Sequence, residues 1–152
     1  MILLDDANRQ FNTHNTDNVR HITAAERTAW NSIENPTQQN FPFASGWSSV
    51  LSNFSRYARY RNGLIVFSIW GATNSALNAN TTYQIGTFPV GFRTRLRFHS
   101  GAAIVTNTFD DNSLPCWYQI AESGEFTIRM GATGMLALLP SRVRVEGAFI
   151  GG

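Results

Sequence analysis

The chain has 152 residues, of which 43% are hydrophobic and only 14% are charged, and its formal net charge is +2. This length fits one ordinary domain with a small appendage, and the apolar content is sufficient for a core. So small an excess of positive charge gives no reason to expect a nucleic-acid partner. Because charged residues usually make up ~25% of a soluble domain, we expect part of the neutral surface to be buried against other subunits.

Residues 1–22 are rich in Asn, Asp, Thr and His and show no apolar periodicity. They offer too little apolar surface to offset the conformational entropy that ordering costs. We therefore expect an extended N-terminal anchor that becomes ordered against a partner.

A short helix is predicted over residues 23–35. Thr23-Ala24-Ala25-Glu26 is a capping-box sequence, in which the hydroxyl of Thr23 and the carboxylate of Glu26 each accept a hydrogen bond from the other residue's backbone N–H. The helix should end before Pro36, because the residue that precedes a proline avoids helical dihedrals.

The apolar residues of this helix form one narrow stripe that includes Ala29, Trp30 and Ile33. A three-turn helix with such a stripe is marginal by itself. We expect a helical collar in which these three side chains pack against symmetry mates, and the alternative is packing on the β domain of the same chain.

The remaining residues are predicted to be a linker, 36–45, followed by an all-β head, 46–152. About eight strands are expected, which favours a mainly β fold of the β-sandwich or jelly-roll type. The strand-like segments are Trp47–Phe54, Arg56–Tyr60, Leu64–Trp70, Thr82–Phe88, Phe92–Phe98, Ala102–Thr108, Trp117–Met130 (a hairpin) and Arg142–Phe149.

Asn62-Gly63, between two strand-like runs, predicts a two-residue type I′ hairpin turn. This turn would place Tyr60 opposite Ile65 on the core face. Leu64 and Val66 would lie on the other face, which is more apolar than a solvated surface requires. We therefore predict that Leu64 and Val66 contact another subunit.

A second two-residue hairpin turn is predicted at Ser123-Gly124. It would place Trp117 opposite Met130, in the core. Cys116, the only cysteine, is expected to behave as a small buried hydrophobic residue.

Arg93, Arg95 and Arg97 alternate with Phe92, Thr94, Leu96 and Phe98, so on one strand the arginines would share a face at a spacing of about 6.5–7 Å. That spacing could match the phosphates of an anionic cell-wall polymer or of nucleic acid. The favoured alternative is a solvated or inter-subunit face on which the arginines pair with Asp and Glu.

The sequence contains no pattern of a catalytic, metal or cofactor site. Its three histidines are not placed at metal-ligand spacing with Cys116, and neither a nucleophile elbow nor a phosphate-binding loop occurs. We expect no enzyme, no cofactor and no metal. Nor is membrane insertion expected, because no apolar run approaches the ~20 residues of a membrane span.

The loop within residues 106–115 is the predicted site of sugar recognition. Asp110, Asp111 and Asn112 could supply planar polar groups, and Trp117 an aromatic face. His99 lies on the strand that precedes the loop and completes the predicted set. An ordinary polar loop would have the same composition.

Taken together, these segments resemble a known family. His21–Asn31, HITAAERTAWN, is similar to a segment common near the shafts of bacteriophage tail-fibre proteins. Residues 60–66, YRNGLIV, and residues 88–93, FPVGFR, resemble the hairpin and following loop of the C-terminal domain of phage fibre and receptor-binding proteins. Residues 121–126, AESGEF, and residues 146–149, EGAF, are similar to the strand–turn–strand unit and the closing strand of that domain.

The resemblance implies a homotrimeric virion fibre protein whose heads bind host-surface glycans. By the same resemblance it would attach to other virion proteins through its N-terminal segment, at the tail, baseplate or capsid surface. Two alternatives stay open at this point. One is a virion decoration protein, in the head or neck, without a receptor role; the other is a non-viral lectin-like binding module.

Overall fold

The structure is a computed structural model that describes residues 8–10, 12–13, 23–34, 36–107, 113–135 and 140–152, with the backbone alone for 31–34 and 107. The chain divides into two compact units, Met1–Pro36 and Thr37–Gly152. Within the described residues, no helix is both long and apolar enough to cross a membrane.

The first unit contains the helix Ala24–Glu34. The backbone N–H of Thr23 donates to Glu26 Oε2 at 2.7 Å, and the backbone N–H of Glu26 donates to Thr23 Oγ1 at 3.1 Å. The predicted capping box is thereby confirmed. The backbone N–H and the hydroxyl of Thr23 both donate to this carboxylate, so the pKa of Glu26 is lowered from its ordinary value.

Part of the N-terminal anchor, predicted to be extended, has a helical backbone conformation instead. Asn8–Gln10 and the pair Asn12 and Thr13 are helical, and the hydroxyl of Thr13 donates to the carbonyl oxygen of Arg9 at 2.8 Å. Arg and Gln have high intrinsic helix propensity, and this local preference does not require an apolar stripe. The rest of that segment lies outside the described residues.

Over its described residues, the second unit is a β domain of nine antiparallel strands in the order β1-β3-β4-β9-β6-β7-β8-β5, with β2 also paired to β4. The strands are β1 Gln39–Asn40, β2 Ser48–Ser49, β3 Arg56–Arg59, β4 Leu64–Thr73, β5 Thr82–Thr87, β6 Phe98–Asn107, β7 Ser113–Ala121, β8 Glu125–Met130 and β9 Ser141–Ile150. This confirms the prediction of a mainly β head, and its strands form one continuous curled sheet.

The two ends of this strand order are joined by the segment that follows β1. Phe43 forms a bridge with Gly86 of β5, and the backbone N–H of Ala44 donates to the carbonyl oxygen of Ile85 at 2.7 Å. A Cβ at Gly86 would overlap the ring of Phe41, so this close approach requires glycine. The curled sheet therefore encloses a single core, to which the buried Phe41 contributes.

Residues 37–45, predicted to be a linker, belong to the β domain. Gln39 pairs with Tyr57, and Phe41 contacts Phe88 and Phe126 edge-to-face at centroid distances of 5.1 and 5.7 Å. The prolines and glutamines of this segment are typical of a linker, but its two phenylalanines, Phe41 and Phe43, pack in or against the hydrophobic core.

Both predicted hairpin registers are wrong by one residue, for the same reason. Tyr57 lies opposite Phe67, and the loop contains three residues, Arg61, Asn62 and Gly63, instead of two. Only Gly63 has positive φ, at 84°, so the turn is not type I′. A type I turn followed by one residue in the left-handed backbone conformation is the usual three-residue hairpin loop.

In the second hairpin the loop is Glu122-Ser123-Gly124, and Gly124 has φ 88°. Trp117 consequently lies opposite Arg129, not Met130, and is 58% exposed on the outer face. Cys116 instead lies opposite Met130 and is buried, as predicted.

The predicted strand containing Arg93, Arg95 and Arg97 does not form, since β6 begins at Phe98. The chain bends after Gly91, which has φ 88°, and only Thr94 forms a bridge, with Gly151. The three arginines therefore do not share one face at regular strand spacing.

Candidate functional site

His99 lies at the other end of β6 from the described start of the predicted sugar-binding loop. It is near the first residue of β6, about 27 Å of strand from Asn107, the last residue of that strand. Its Nε2 is 3.1 Å from the Tyr118 hydroxyl, and its ring centroid is 5.5 Å from that of Phe149. Partial burial disfavours the charged imidazolium and lowers the pKa of His99.

Asp110, Asp111 and Asn112 lie outside the described residues. Trp117 is four residues along β7 from Ser113, the first described residue after the loop, which is about 13 Å of strand. Of the predicted receptor-binding residues, His99 on β6 and Trp117 on β7 are described, and these two do not form one cluster.

A different feature lies at the centre of the outer face, where β6 and β9 separate. Their pairing runs only from Asn107 opposite Ser141 to Ile104 opposite Arg144. Continued in the same register, it would place Gly101 opposite Gly147, but no pairing is formed there. A Cβ at Gly101 would lie 2.8 Å from the Tyr118 hydroxyl oxygen, and one at Gly147 would lie 3.0 Å from it. The Tyr118 side chain therefore occupies the space beneath the opening.

On the outer surface this opening forms a groove of about 500 Å³, which we call the β6–β9 groove. Its lining combines one aromatic ring, small aliphatic side chains, two hydroxyls and one ion pair. The lining residues are Trp70, Ala102, Ala103, Ile104, Thr106, Ser113, Arg144 and Glu146. Thr106 and Ser113 belong to the predicted loop 106–115, but they lie in β6 and β7 and pair with each other, so the groove reaches both described parts of that segment.

The charges in the groove are matched. Arg144 donates to Glu146 Oε1 through Nη2 at 2.9 Å and through Nε at 3.2 Å. The guanidinium hydrogen bonds lower the pKa of Glu146. Both side chains are more than half exposed, so the pair contributes at most ~1 kcal/mol to stability and instead fixes the two groups in place.

The ring of Trp70 is held on two sides. Phe54 packs edge-on against it at a centroid distance of 5.8 Å, and the Arg144 guanidinium carbon is 5.9 Å from its centroid. One wall of the groove is therefore a positioned aromatic surface.

The residues predicted at subunit interfaces have the exposure that such a role needs. Trp30 is 63% exposed and Ala29 half-buried, while the side chain of Ile33 lies outside the described residues. Leu64 and Val66 lie on the outer face of β4, opposite Ile150 and Ala148, and Val66 is 39% exposed. Their contact with other copies stays a prediction.

Cys116 lies in an environment that disfavours the nucleophilic thiolate. Burial raises the pKa of its thiol to about 11, so the reactive thiolate is scarce near neutral pH. Elsewhere among the described residues, no three His, Cys, Asp or Glu side chains are grouped as a metal would require.

The sequence did not identify the groove. In the sequence, Arg144 and Glu146 are only charged positions within the strand-like segment Arg142–Phe149, and Trp70 is only the last residue of the segment Leu64–Trp70. The two glycines that part β6 from β9 are 46 positions apart in sequence. The available signal was one glycine in each of two strands whose neighbouring inward positions are apolar, Ala103 in β6 and Val145 and Phe149 in β9. This signal becomes specific only once the two strands are known to be neighbours.

No protein-family model and no curated protein sequence matches the chain. Solved structures do. One is the head domain of lactococcal phage bIL170, which was reported in a comparison of the receptor-binding domains of lactococcal phages. It superposes on this chain with a TM-score of 0.60 at 18% sequence identity, and the match covers 76% of this chain and 98% of that one. The receptor-binding protein of Listeria phage PSA superposes with a TM-score of 0.50 at 15% identity, covering 95% and 96%. The chain therefore carries the fold of phage receptor-binding head domains, which confirms at the level of the fold the resemblance recognised in its sequence.

Proposed function

We propose that this chain is a virion protein that attaches a bacteriophage to saccharides on its host's surface. The observation that carries the proposal is the shared fold with two phage receptor-binding proteins, which are not enzymes. The β6–β9 groove adds a surface with an aromatic wall and positioned polar groups, the combination that sugar rings require.

The proposed assembly is a homotrimer, joined to other virion proteins by the N-terminal segment. The low charge of the chain and the exposure of Trp30 and Val66 support it, because such surface is usually covered in an assembly. The location on the virion, at the tail, baseplate or capsid surface, follows from this attachment role.

Competition for adsorption tests the proposal. An excess of the purified full chain should occupy host receptors and reduce adsorption of the phage that encodes it at least tenfold. Heat-unfolded chain, the matched control, should not compete. If the folded chain leaves adsorption unchanged, and virions lacking it adsorb normally, the protein is a decoration or assembly component instead.

A further inference from the structure

The two charged side chains of the β6–β9 groove neutralise each other, which bears on what the groove can bind. Resting on the proposed function, we infer that it binds an uncharged sugar ring of the host-surface polysaccharide and not a phosphate-bearing unit. Three features of the groove carry this inference: its unpaired backbone groups, its aromatic surfaces and its electrostatic neutrality.

The opening exposes backbone hydrogen-bonding groups that a regular sheet would use itself. The carbonyl of Ile150 accepts from the backbone N–H of Arg95 at 3.1 Å, and the N–H of Gly152 donates to the carbonyl of Arg93 at 2.9 Å. Even-numbered residues of β9 therefore direct their backbone groups toward the β6 side.

By strand alternation, Glu146 directs its N–H and C=O into the opening, and in the same register Ala102 faces it from β6. Neither is paired across the opening. Backbone groups left without protein partners need others, and the hydroxyls of a sugar can both donate and accept.

Two tryptophans provide flat apolar surface for a sugar ring. Trp70 forms one wall of the groove. Trp117 lies directly opposite Ala102 on the neighbouring strand and is 58% exposed. The small side chain of Ala102, between them, leaves room for a ring to lie on the sheet.

The electrostatics disfavour a phosphate. Among the described residues that line the groove, Arg144 and Glu146 alone are charged, and each is the other's partner. An incoming phosphate would have to displace the Glu146 carboxylate from Arg144, and the two negative groups would then lie side by side and repel each other. A neutral ring can instead accept from the guanidinium and donate to the carboxylate without breaking the pair.

The test uses the full chain on an array of neutral and phosphate-bearing hexose oligosaccharides, followed by calorimetric titration of the strongest neutral binder. Ala102→Phe should fill the groove and weaken that binding at least tenfold. Gln119→Phe, an equal change at an exposed position of β7 outside the groove, should leave it unchanged. Melting temperatures of both variants check that each is folded.

Two further measurements test neutrality. Affinity for the neutral binder should change less than twofold between 50 and 500 mM NaCl, because salt screens only charged partners. Glu146→Gln should weaken neutral binding and raise the signal of phosphate-bearing members, since Arg144 then lacks its counter-charge.

Several results would overturn the inference while leaving the proposed function intact. The first is that the chain binds only the phosphate-bearing oligosaccharides of the array. The second is that Ala102→Phe does not affect the binding of the neutral oligosaccharide. The third is that a chain that still competes for adsorption binds no glycan of the array. A chain that does not compete for adsorption contradicts the proposed function itself.

Discussion

Tyr118 determines the local shape of the outer face through the space that its phenol fills. Its ring reaches beneath β6, where Gly101 lacks a side chain, and its hydroxyl lies close to Gly147 of β9. Two strands that pair normally at Ile104 and Arg144 therefore stay unpaired a few residues further on. A packing requirement in the core thus produces the candidate binding groove on the surface.

Gly101→Ala should destabilise the β domain. The added methyl would lie 2.6 Å from a ring carbon of Tyr118, so the ring must shift within a packed core, which typically costs ~1–3 kcal/mol. The free energy of unfolding, measured by urea titration, would show this loss.

Gly131→Ala is the matched control, because a Cβ there would meet its nearest neighbours at 3.7 Å. It should change stability by less than ~0.5 kcal/mol, as an unconstrained surface change usually does. Equal stability of the two variants would show that Tyr118 does not depend on the space at Gly101.

His99 predicts a pH dependence of stability. Burial lowers its pKa from the ordinary 6.5, so in the window just below that value the unfolded chain binds more protons than the folded one. Stability should therefore rise with pH through this window and be lost as the pH falls below ~6.5. The pKa values of Glu26 and Glu146 are lowered from 4.5, so these two carboxylates titrate below the same window.

His99→Gln removes the titration while keeping a polar side chain near Tyr118. The fall in melting temperature between pH 7.5 and pH 5 should be smaller in this variant than in the natural chain. An identical fall in both proteins would assign the pH dependence to other groups.

At the level of elements, the hairpins show what the sequence could and could not predict. Their existence and the inward alternation of Ile65, Phe67 and Ile69 follow from the pattern and are confirmed. The register does not follow, because Asn-Gly and Ser-Gly fit both a two-residue turn and a three-residue loop with a left-handed glycine. Only the packing of both strands on the core selects between these, and one residue of shift moved Trp117 from the predicted core to the surface.

Segments without strong periodicity were the least predictable. Phe41 is buried, although it lies in a stretch whose proline and glutamine content predicted a linker. That prediction gave too little weight to the two phenylalanines of the stretch, which join the ends of the sheet. Conversely, residues 92–98 alternate as a strand would and still bend, because the chain turns at Gly91, which has φ 88°, and only Thr94 forms a bridge, with Gly151. The candidate groove was unpredictable because it depends on which strands are neighbours.

Gly124→Ala should be more destabilising than Gly63→Ala. Both glycines close three-residue loops with positive φ, where an alanine costs roughly 1–2 kcal/mol. At Gly124 the Cβ would also overlap the carbonyl oxygen of Phe88, whereas at Gly63 its nearest neighbour is 3.9 Å away. The second variant is thus a control for backbone strain alone.

Unfolding free energies of the two variants separate these terms. We expect a loss of roughly 1–2 kcal/mol for Gly63→Ala and a clearly larger loss for Gly124→Ala. Similar losses would mean that the loop at Gly124 moves away from Phe88 at little cost.

At the scale of the whole molecule, the outer face of the β domain has two regions with different chemistry. Around the groove, Arg144 and Glu146 place polar groups beside aromatic rings. Further along the same strands, Leu64 pairs with Ile150 and Val66 with Ala148, and no charged side chain lies among these four. The first region suits a soluble polar ligand, and the second suits burial against a copy of the chain.

The proposed trimer makes the last prediction. If the apolar pairs of β4 and β9 and the collar both lie between subunits, Val66→Arg and Trp30→Ala should each weaken assembly. Val66→Arg would bury an unpaired charge at the interface. Trp30→Ala would remove a large aromatic side chain, a change that destabilises a fully packed site by about 3–5 kcal/mol. Light scattering at micromolar concentration should show a trimer for the natural chain and smaller species for the variants. Ser68→Arg is the control, because Ser68 lies on the same face but opposite Glu146, outside the apolar pairs. A monomeric natural chain would contradict the trimer, and a trimer lost only with Val66→Arg would assign assembly to the β domain and leave the helix as a tether.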